Sequence, residues 1–190
     1  MKTPYFLFAA GLAVAGLLTS QGGIQPDLAN NLAKPYFGAD TLSETEWDAQ
    51  AFNSGLATQL LTVTLNLFRQ ANATGTYWVR LYDQSGPNQQ PGTNLVATLA
   101  SGCRIEELSS SSDHTITLSP AVALVPGHEY YIVVGTDPGA WGLHWGYTND
   151  PVGAMGFPSR FCFTPDGGLT WRLNWTPLPQ RMRVRGDTGS

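Results

Sequence analysis

The sequence has little charge and few residues suited to catalysis or metal binding. Charged residues make up 13% of the 190 residues, and the formal net charge is −4. This charged fraction is well below the typical quarter. A nucleic-acid partner is not expected, because its recognition requires a clustered basic face. The hydrophobic content of 42% is too high for a disordered chain.

Catalytic fingerprints are also missing. The sequence contains no GxSxG, HExxH, phosphate-binding loop or dinucleotide-binding motif. Ser112, Asp113 and His114 are adjacent, but a catalytic triad is assembled by the fold and not by adjacency. Glu106 and Glu107 are also adjacent and do not form the flanking carboxylate pair that glycoside hydrolysis needs. We therefore predict a protein that is not an enzyme, with an extracellular hydrolase as the least favoured alternative.

No pattern for a cofactor is present. Four aspartates, Asp83, Asp137, Asp150 and Asp166, lie in predicted turns, where Asp bonds the local backbone. Loop carboxylates and carbonyls suit Ca²⁺, but neither an EF-hand nor a DxDxD spacing occurs. We expect no cofactor, with a structural calcium ion in these loops as the alternative.

Only one long apolar run occurs, at Tyr5–Leu18, between Lys2 and the small or polar residues 19–23. This order is typical of an export signal. Residues 1–23 are predicted to be a signal peptide or an uncleaved hydrophobic segment, because no cut offers small residues at both required positions. Residues 24–190 are predicted to form one domain, extracellular or at the cell surface, with no C-terminal membrane anchor.

The sequence has two cysteines, Cys103 and Cys162. In an exported protein, two cysteines most simply form one disulfide. Two separate buried thiols are the alternative.

Short β-type runs separated by turn signals dominate the remainder. Glycine (21) and proline (13) are abundant. The runs predict an all-β fold, a jelly-roll-like antiparallel two-sheet β-sandwich. Gln59–Phe68 is the strongest run, with Leu61, Val63 and Leu65 on one face. The predicted strands are 28–32, 47–53, 59–68, 76–82, 94–100, 115–118, 128–135, 141–148, 160–164, 169–175 and 180–185.

Several segments in this order resemble the choice-of-anchor R domain: 46–52 (EWDAQAF), 79–82 (VRLY), 124–134 (LVPGHEYYIVV), 145–148 (WGYT) and 166–171 (DGGLTW). The resemblance covers Leu28 to Gly186. It implies an exported bacterial β-sandwich with no defined common activity. The chain departs from that pattern by ending at residues 186–190 without a sorting anchor, and the cysteine pair is not part of the resemblance.

The candidate binding site is aromatic. Trp141, Leu143, Trp145 and Tyr147 alternate with Gly142, His144 and Gly146. Facing outward, the aromatic set forms a platform on which sugars stack, with Trp141, His144, Trp145 and Tyr147 as ligand-binding residues. Facing inward, the set is core, which we favour because aromatic side chains dominate sandwich cores. Trp171 and Trp175 present the same two alternatives.

We expect a non-catalytic structural or adhesive protein of the cell surface or extracellular matrix. Its expected partners are copies of itself, through sheet edges or the N-terminal segment, or surface glycans. The alternating Arg181, Arg183 and Arg185 are expected on a solvent face or a sheet edge, where charge blocks edge pairing. The alternative function is a carbohydrate-binding module.

Overall fold

The computed structural model describes residues 25–150, 155–158, 161–174 and 178–189, so the predicted signal segment and Trp175 lie outside the described residues. Thirteen strands occur in these ranges, with short 3-10 turns at Pro87–Gln89 and Ile105–Glu107. The strands are β1 (Asp27–Asn30), β2 (Gly38–Leu42), β3 (Trp47–Asn53), β4 (Gln59–Leu65), β5 (Leu67–Thr74), β6 (Thr76–Asp83), β7 (Leu95–Arg104), β8 (His114–Ala123), β9 (Glu129–Thr136), β10 (Trp141–Tyr147), β11 (Phe161–Thr164), β12 (Arg172–Asn174) and β13 (Met182–Asp187).

The strands form antiparallel sheets of four (β1-β13-β4-β8), three (β2-β10-β5) and six strands (β12-β11-β3-β9-β6-β7). The main core contains fully buried side chains from all three, including Val63 of β4, Trp145 of β10 and Ile132 of β9. The predicted all-β antiparallel sandwich is therefore confirmed. Among the described residues, no helix has the length and apolar character needed to cross a bilayer.

The local β-type runs predicted β3 and β9 well, and the alternating pattern failed where the chain bends. The predicted strand Gln59–Phe68 is two strands in different sheets, because the chain passes from one sheet to the next at Asn66. An extra residue at Leu61 also interrupts the pairing of β4 with β13. Leu60 is fully buried as a result, and Leu61 is only half-buried.

Bulges and short strands protect the sheet edges. The pairing of β6 with the edge strand β7 shifts register three times, and the pairing of β4 with the edge strand β8 also shifts. The opposite edges are strands of only three and four residues, β12 and β1. Short and bulged edges disfavour pairing with another chain. The arginines of β13 do not serve this purpose: β13 lies between β1 and β4, and Arg185 Nε donates to Asp27 Oδ1 at 2.9 Å.

The predicted disulfide between Cys103 and Cys162 is wrong. Cys103 lies on the edge strand β7, and Cys162 lies on β11 of the same sheet. Three strands, β3, β9 and β6, lie between them, so the two cysteines are four strand spacings apart, which corresponds to about 19 Å at roughly 4.8 Å per spacing. A disulfide requires Cα atoms within about 7 Å. The sequence could not reveal this, because strand order across a sheet is a tertiary property.

We expect the cysteines to behave as two unconnected thiols of unequal reactivity. Cys162 is fully buried beneath Tyr131, whose hydroxyl lies 3.7 Å from its sulfur. Cys103 is half-buried, and burial raises its thiol pKa, which slows alkylation. Alkylation followed by mass spectrometry should modify Cys103 slowly in the native protein and both cysteines after unfolding without reductant. A mass two hydrogens lighter, with no alkylation until reductant is added, would contradict this.

Candidate functional site

The four residues of the predicted platform do not share one surface. Trp145 is fully buried, and its indole Nε1 donates to the carbonyl oxygen of Arg181 at 3.2 Å. Leu143 is also fully buried, so the inward-facing interpretation is confirmed for these two residues. Trp141 is 44% exposed, because Gly142 adopts a φ of 79° and the pairing of β10 with β5 is irregular there. An outward platform that includes Trp145 is therefore wrong.

His144 points to the opposite face of β10. Its ring stacks on Phe68 of β5, with ring centroids 5.3 Å apart and an interplanar angle of 20°. Its Nδ1 lies 3.1 Å from Thr41 Oγ1 of β2. Burial lowers the pKa of His144 below its ordinary value, which favours the neutral imidazole. Of the predicted site residues, His144 is the one that lies in a row of contacting rings with Phe68 and Tyr36, which we call the aromatic row.

That row continues into a cleft. Phe68 also meets Tyr36 edge-on, with ring centroids 6.1 Å apart, and Tyr36 is 55% exposed. Beside these two rings lies a cleft of about 570 Å³, which we call the Tyr36 cleft. It is lined by aromatic, amide, hydroxyl and charged side chains: Tyr36, Asn66, Phe68, Ser110, Ser111, Ser112, Asp113 and Arg181.

The amide of Asn66 forms part of the polar wall. Asn66 lies at the break between β4 and β5 and is 7% exposed. Its side-chain Nδ2 donates to Asp113 Oδ1 at 2.9 Å, which orients both groups. Gly146 of β10 makes room for this amide, since a Cβ there would collide with Asn66 Oδ1 and lie 3.4 Å from the Tyr36 ring. The absence of a side chain at residue 146 therefore keeps Asn66 and Tyr36 side by side.

Arg181 supplies the positive charge of the cleft. Its backbone N–H donates to Gly146 O at 2.7 Å, and its carbonyl accepts from the Asn66 N–H at 3.0 Å. The side-chain Nη2 donates to Leu32 O at 2.6 Å. Its Nε is buried and has no hydrogen-bond partner within the described ranges. A buried donor without a partner is costly, and a ligand oxygen or a water would satisfy it.

The predicted Ser112, Asp113 and His114 cluster does not form a triad. Asp113 accepts from Asn66, while the His114 ring lies edge-on to Tyr77 at 6.3 Å between centroids. Ser112 accepts a hydrogen bond from Ser109. Serine and aspartate therefore line the Tyr36 cleft as hydrogen-bonding groups, and the histidine points elsewhere.

Two of the four predicted turn aspartates bond locally, whereas Asp137 accepts from the distant Thr76 hydroxyl and Asp150 pairs with Lys34 Nζ at 3.1 Å. Asp166 accepts from the backbone N–H and hydroxyl of Thr170, and these hydrogen bonds lower its pKa to about 2. Asp83 accepts from Ser85 and Asn94. Within the described ranges, no three His, Cys, Asp or Glu side chains are grouped as metal ligands.

Neither the protein-family models nor the curated proteins compared with the chain match it. The interpretation of the Tyr36 cleft therefore depends on its own residues.

Sequence reasoning missed most of this cleft. Tyr36 lies in a segment that the sequence analysis did not assign to a strand, and Asn66 and Arg181 lie within predicted strands. A signal was present at Asn66, a polar amide between Leu65 and Leu67 in a run that otherwise alternates cleanly. Nothing local indicates that these residues meet.

Proposed function

We propose that this protein is an exported, non-catalytic adhesive β-sandwich that binds saccharides in the Tyr36 cleft. The observation that carries the proposal is the placement of two aromatic rings, Tyr36 and Phe68, beside a carboxylate, an amide and a guanidinium. Export is supported by the apolar N-terminal run and its flanks.

The chemistry of the cleft matches that of a sugar ring. The aliphatic C–H face of a pyranose packs against an aromatic ring, which offers a large apolar surface. Asp113 accepts hydrogen bonds from hydroxyls, Arg181 donates them, and serine hydroxyls do both. One carboxylate and one guanidinium line the cleft, so a neutral, polyhydroxylated ligand is favoured over a strongly charged one.

The sheet edges favour a module that binds a ligand over one that polymerises by adding strands. In the four-stranded and six-stranded sheets, the long edge strands are bulged and the opposite edge strands are short. Adhesion would then act through side chains in the Tyr36 cleft.

Two adjacent aromatic residues offer a matched test. Tyr36 and Phe37 are 55% and 57% exposed, but only Tyr36 lines the cleft, while Phe37 packs on Tyr147. On a glycan array followed by calorimetry with the best saccharide, Tyr36→Ala should weaken binding by at least about tenfold, or 1.4 kcal/mol. Phe37→Ala should leave affinity within about twofold.

Equal losses in the two variants would place binding outside the cleft. An array with no saccharide bound by the wild-type protein would overturn the proposed function itself. Thermal unfolding of both variants checks that the comparison is between folded proteins.

A further inference from the structure

The aromatic row is part of a line of side chains that crosses the three-stranded sheet from edge to edge. His144 lies on the central strand β10, and the residues directly opposite it are Phe68 on β5 and Thr41 on β2. Residues opposite each other project from the same face of a sheet. This face points away from the core, because Leu143 and Trp145, on either side of His144, are fully buried. Two strand spacings separate Phe68 from Thr41, or about 10 Å at roughly 4.8 Å per spacing.

Neighbouring groups in this line touch, and each is accessible at least in part. The centroids of the Phe68 and His144 rings lie 5.3 Å apart, and the Thr41 hydroxyl lies 3.1 Å from His144 Nδ1. Thr41 is exposed, and the two rings are half-buried. Tyr36 extends the line beyond Phe68, with ring centroids 6.1 Å apart. The line therefore presents ring carbons and a hydroxyl over a length greater than that of one pyranose ring.

The Thr41 end of the line opens into a second cleft, of about 250 Å³, which we call the Phe163 cleft. It lies beside the edge strand β2, whereas the Tyr36 cleft lies beside the opposite edge strand β5. Its lining resembles that of the Tyr36 cleft, with aromatic rings, carboxyl groups, hydroxyls and an amide. Besides Thr41, the lining includes Trp47, Phe161, Phe163, Asp40, Glu46 and Asp48.

Two carboxyl groups of the Phe163 cleft are held in place by a buried amide. Gln180 is fully buried, and its side-chain Nε2 donates to Asp40 Oδ2 at 2.7 Å and to Asp48 Oδ2 at 3.1 Å. The Trp47 indole Nε1 donates to Glu44 O at 3.0 Å, which orients one of the rings. Groups that are already ordered lose little freedom on binding. The cleft is therefore pre-organised to accept hydrogen bonds from a ligand.

We infer that the two clefts are the ends of one binding site, and that its ligand is a linear, neutral oligosaccharide that crosses β5, β10 and β2. One sugar unit occupies the Tyr36 cleft, the following units pass over His144 and Thr41, and the far end enters the Phe163 cleft. Carboxyl groups accept hydrogen bonds from hydroxyls and repel an anionic chain. His144 is thus a specificity-determining residue that selects for chain length. The inference rests on the proposed saccharide site, because the first unit binds there.

The first measurement is the affinity of the wild-type protein for fragments of the saccharide that binds best on the glycan array. The fragments run from the shortest with measurable affinity to the hexasaccharide. Because contacts made by linked units act together, affinity should rise at least about tenfold over the series. The ¹H–¹⁵N resonance of the Trp47 indole, assigned with Trp47→Phe, reports on the Phe163 cleft. It should shift with the longest fragments and stay in place with the shortest.

The second measurement repeats the series with single variants. His144→Ala and Glu46→Ala should each reduce affinity for the hexasaccharide at least about fivefold and leave affinity for the shortest fragment within about twofold. His144→Phe keeps a ring beside Phe68 and should retain the gain with length. His128→Ala and Glu107→Ala are matched controls, because both side chains are exposed and line neither cleft. Both controls should bind every fragment as the wild type does.

The outcomes separate the extended site from the proposed function. An affinity that does not change with length, or a Trp47 resonance that no fragment shifts, would overturn the extended site and leave the saccharide site in the Tyr36 cleft standing. Equal losses for short and long fragments in His144→Ala would show that His144 only supports the Tyr36 cleft, which also contradicts the inference. Failure of every saccharide to bind would overturn the proposed function and this inference together. Thermal unfolding of each variant checks that folded proteins are compared.

Discussion

Replacing Trp145 with alanine should lower the free energy of unfolding by about 3–5 kcal/mol, the usual cost of removing a large aromatic side chain from a core. Trp145 is fully buried among core side chains, with 0% of its surface accessible to solvent. The variant also loses the indole hydrogen bond to Arg181 O. Urea denaturation followed by circular dichroism measures the change. A loss this large is a substantial share of the stability of an ordinary domain.

Trp141→Ala is the matched control on the same strand. Trp141 is 44% exposed, so its truncation should change stability by no more than about 0.5–1 kcal/mol. The outward-platform hypothesis predicts the reverse for Trp145→Ala, with little loss of stability and a direct loss of ligand binding. Similar stability losses in the two variants would show that Trp145 does not anchor the core.

Replacing Gly135 with valine should lower stability by about 1–3 kcal/mol, the usual cost of overpacking. Gly135 lies in β9, where a Cβ would collide with Trp78 Cζ2 and stand 2.6 Å from Trp47 Cδ1. These two indoles meet edge-on, with ring centroids 4.6 Å apart, and the Arg80 guanidinium lies 4.0 Å over Trp78. Valine favours strands by itself, so a loss must come from the collision. Urea denaturation measures the loss.

A double-mutant cycle separates collision from any other effect of valine. With Trp78→Leu in the background, the ring that blocks the valine is gone, and the additional cost of Gly135→Val should fall by at least about 0.5 kcal/mol. Strict additivity of the two substitutions would contradict this explanation. Tryptophan fluorescence of Gly135→Val should also shift, because the indole pair has to move.

The positions of several strands were predictable, because local runs of apolar and β-type residues indicate them. β3 has the predicted bounds, and the apolar run of β9 marks a central strand, flanked by β3 and β6 in the six-stranded sheet. β2 was missed because Gly38–Leu42 is short and carries little β-type character. β4 and β5 were merged because the alternation of leucine with polar residues continues across Asn66, and periodicity does not reveal a change of sheet.

The candidate site was predicted in part only. The sequence indicated an aromatic site around β10, and His144 does lie in the aromatic row beside Phe68. The local pattern around Trp145 fits a surface platform as well as a core position, because strand periodicity defines two faces and does not say which is buried. The structure places Trp145 in the core. The contacts of Gln180 with Asp40 and Asp48 were not predicted, because Gln180 is more than 130 residues away from both in the sequence.

The sequence by itself determined that this chain forms short antiparallel strands, because alternation and turn residues act over a few neighbours. The tertiary structure decided which cysteines stay apart, which tryptophan is core and which polar groups meet. Residue 36 precedes β2, residue 66 separates β4 from β5, residue 113 precedes β8 and residue 181 precedes β13. Their meeting depends on sheet order and on the bend at Asn66, which arise from packing between distant segments and leave no local pattern.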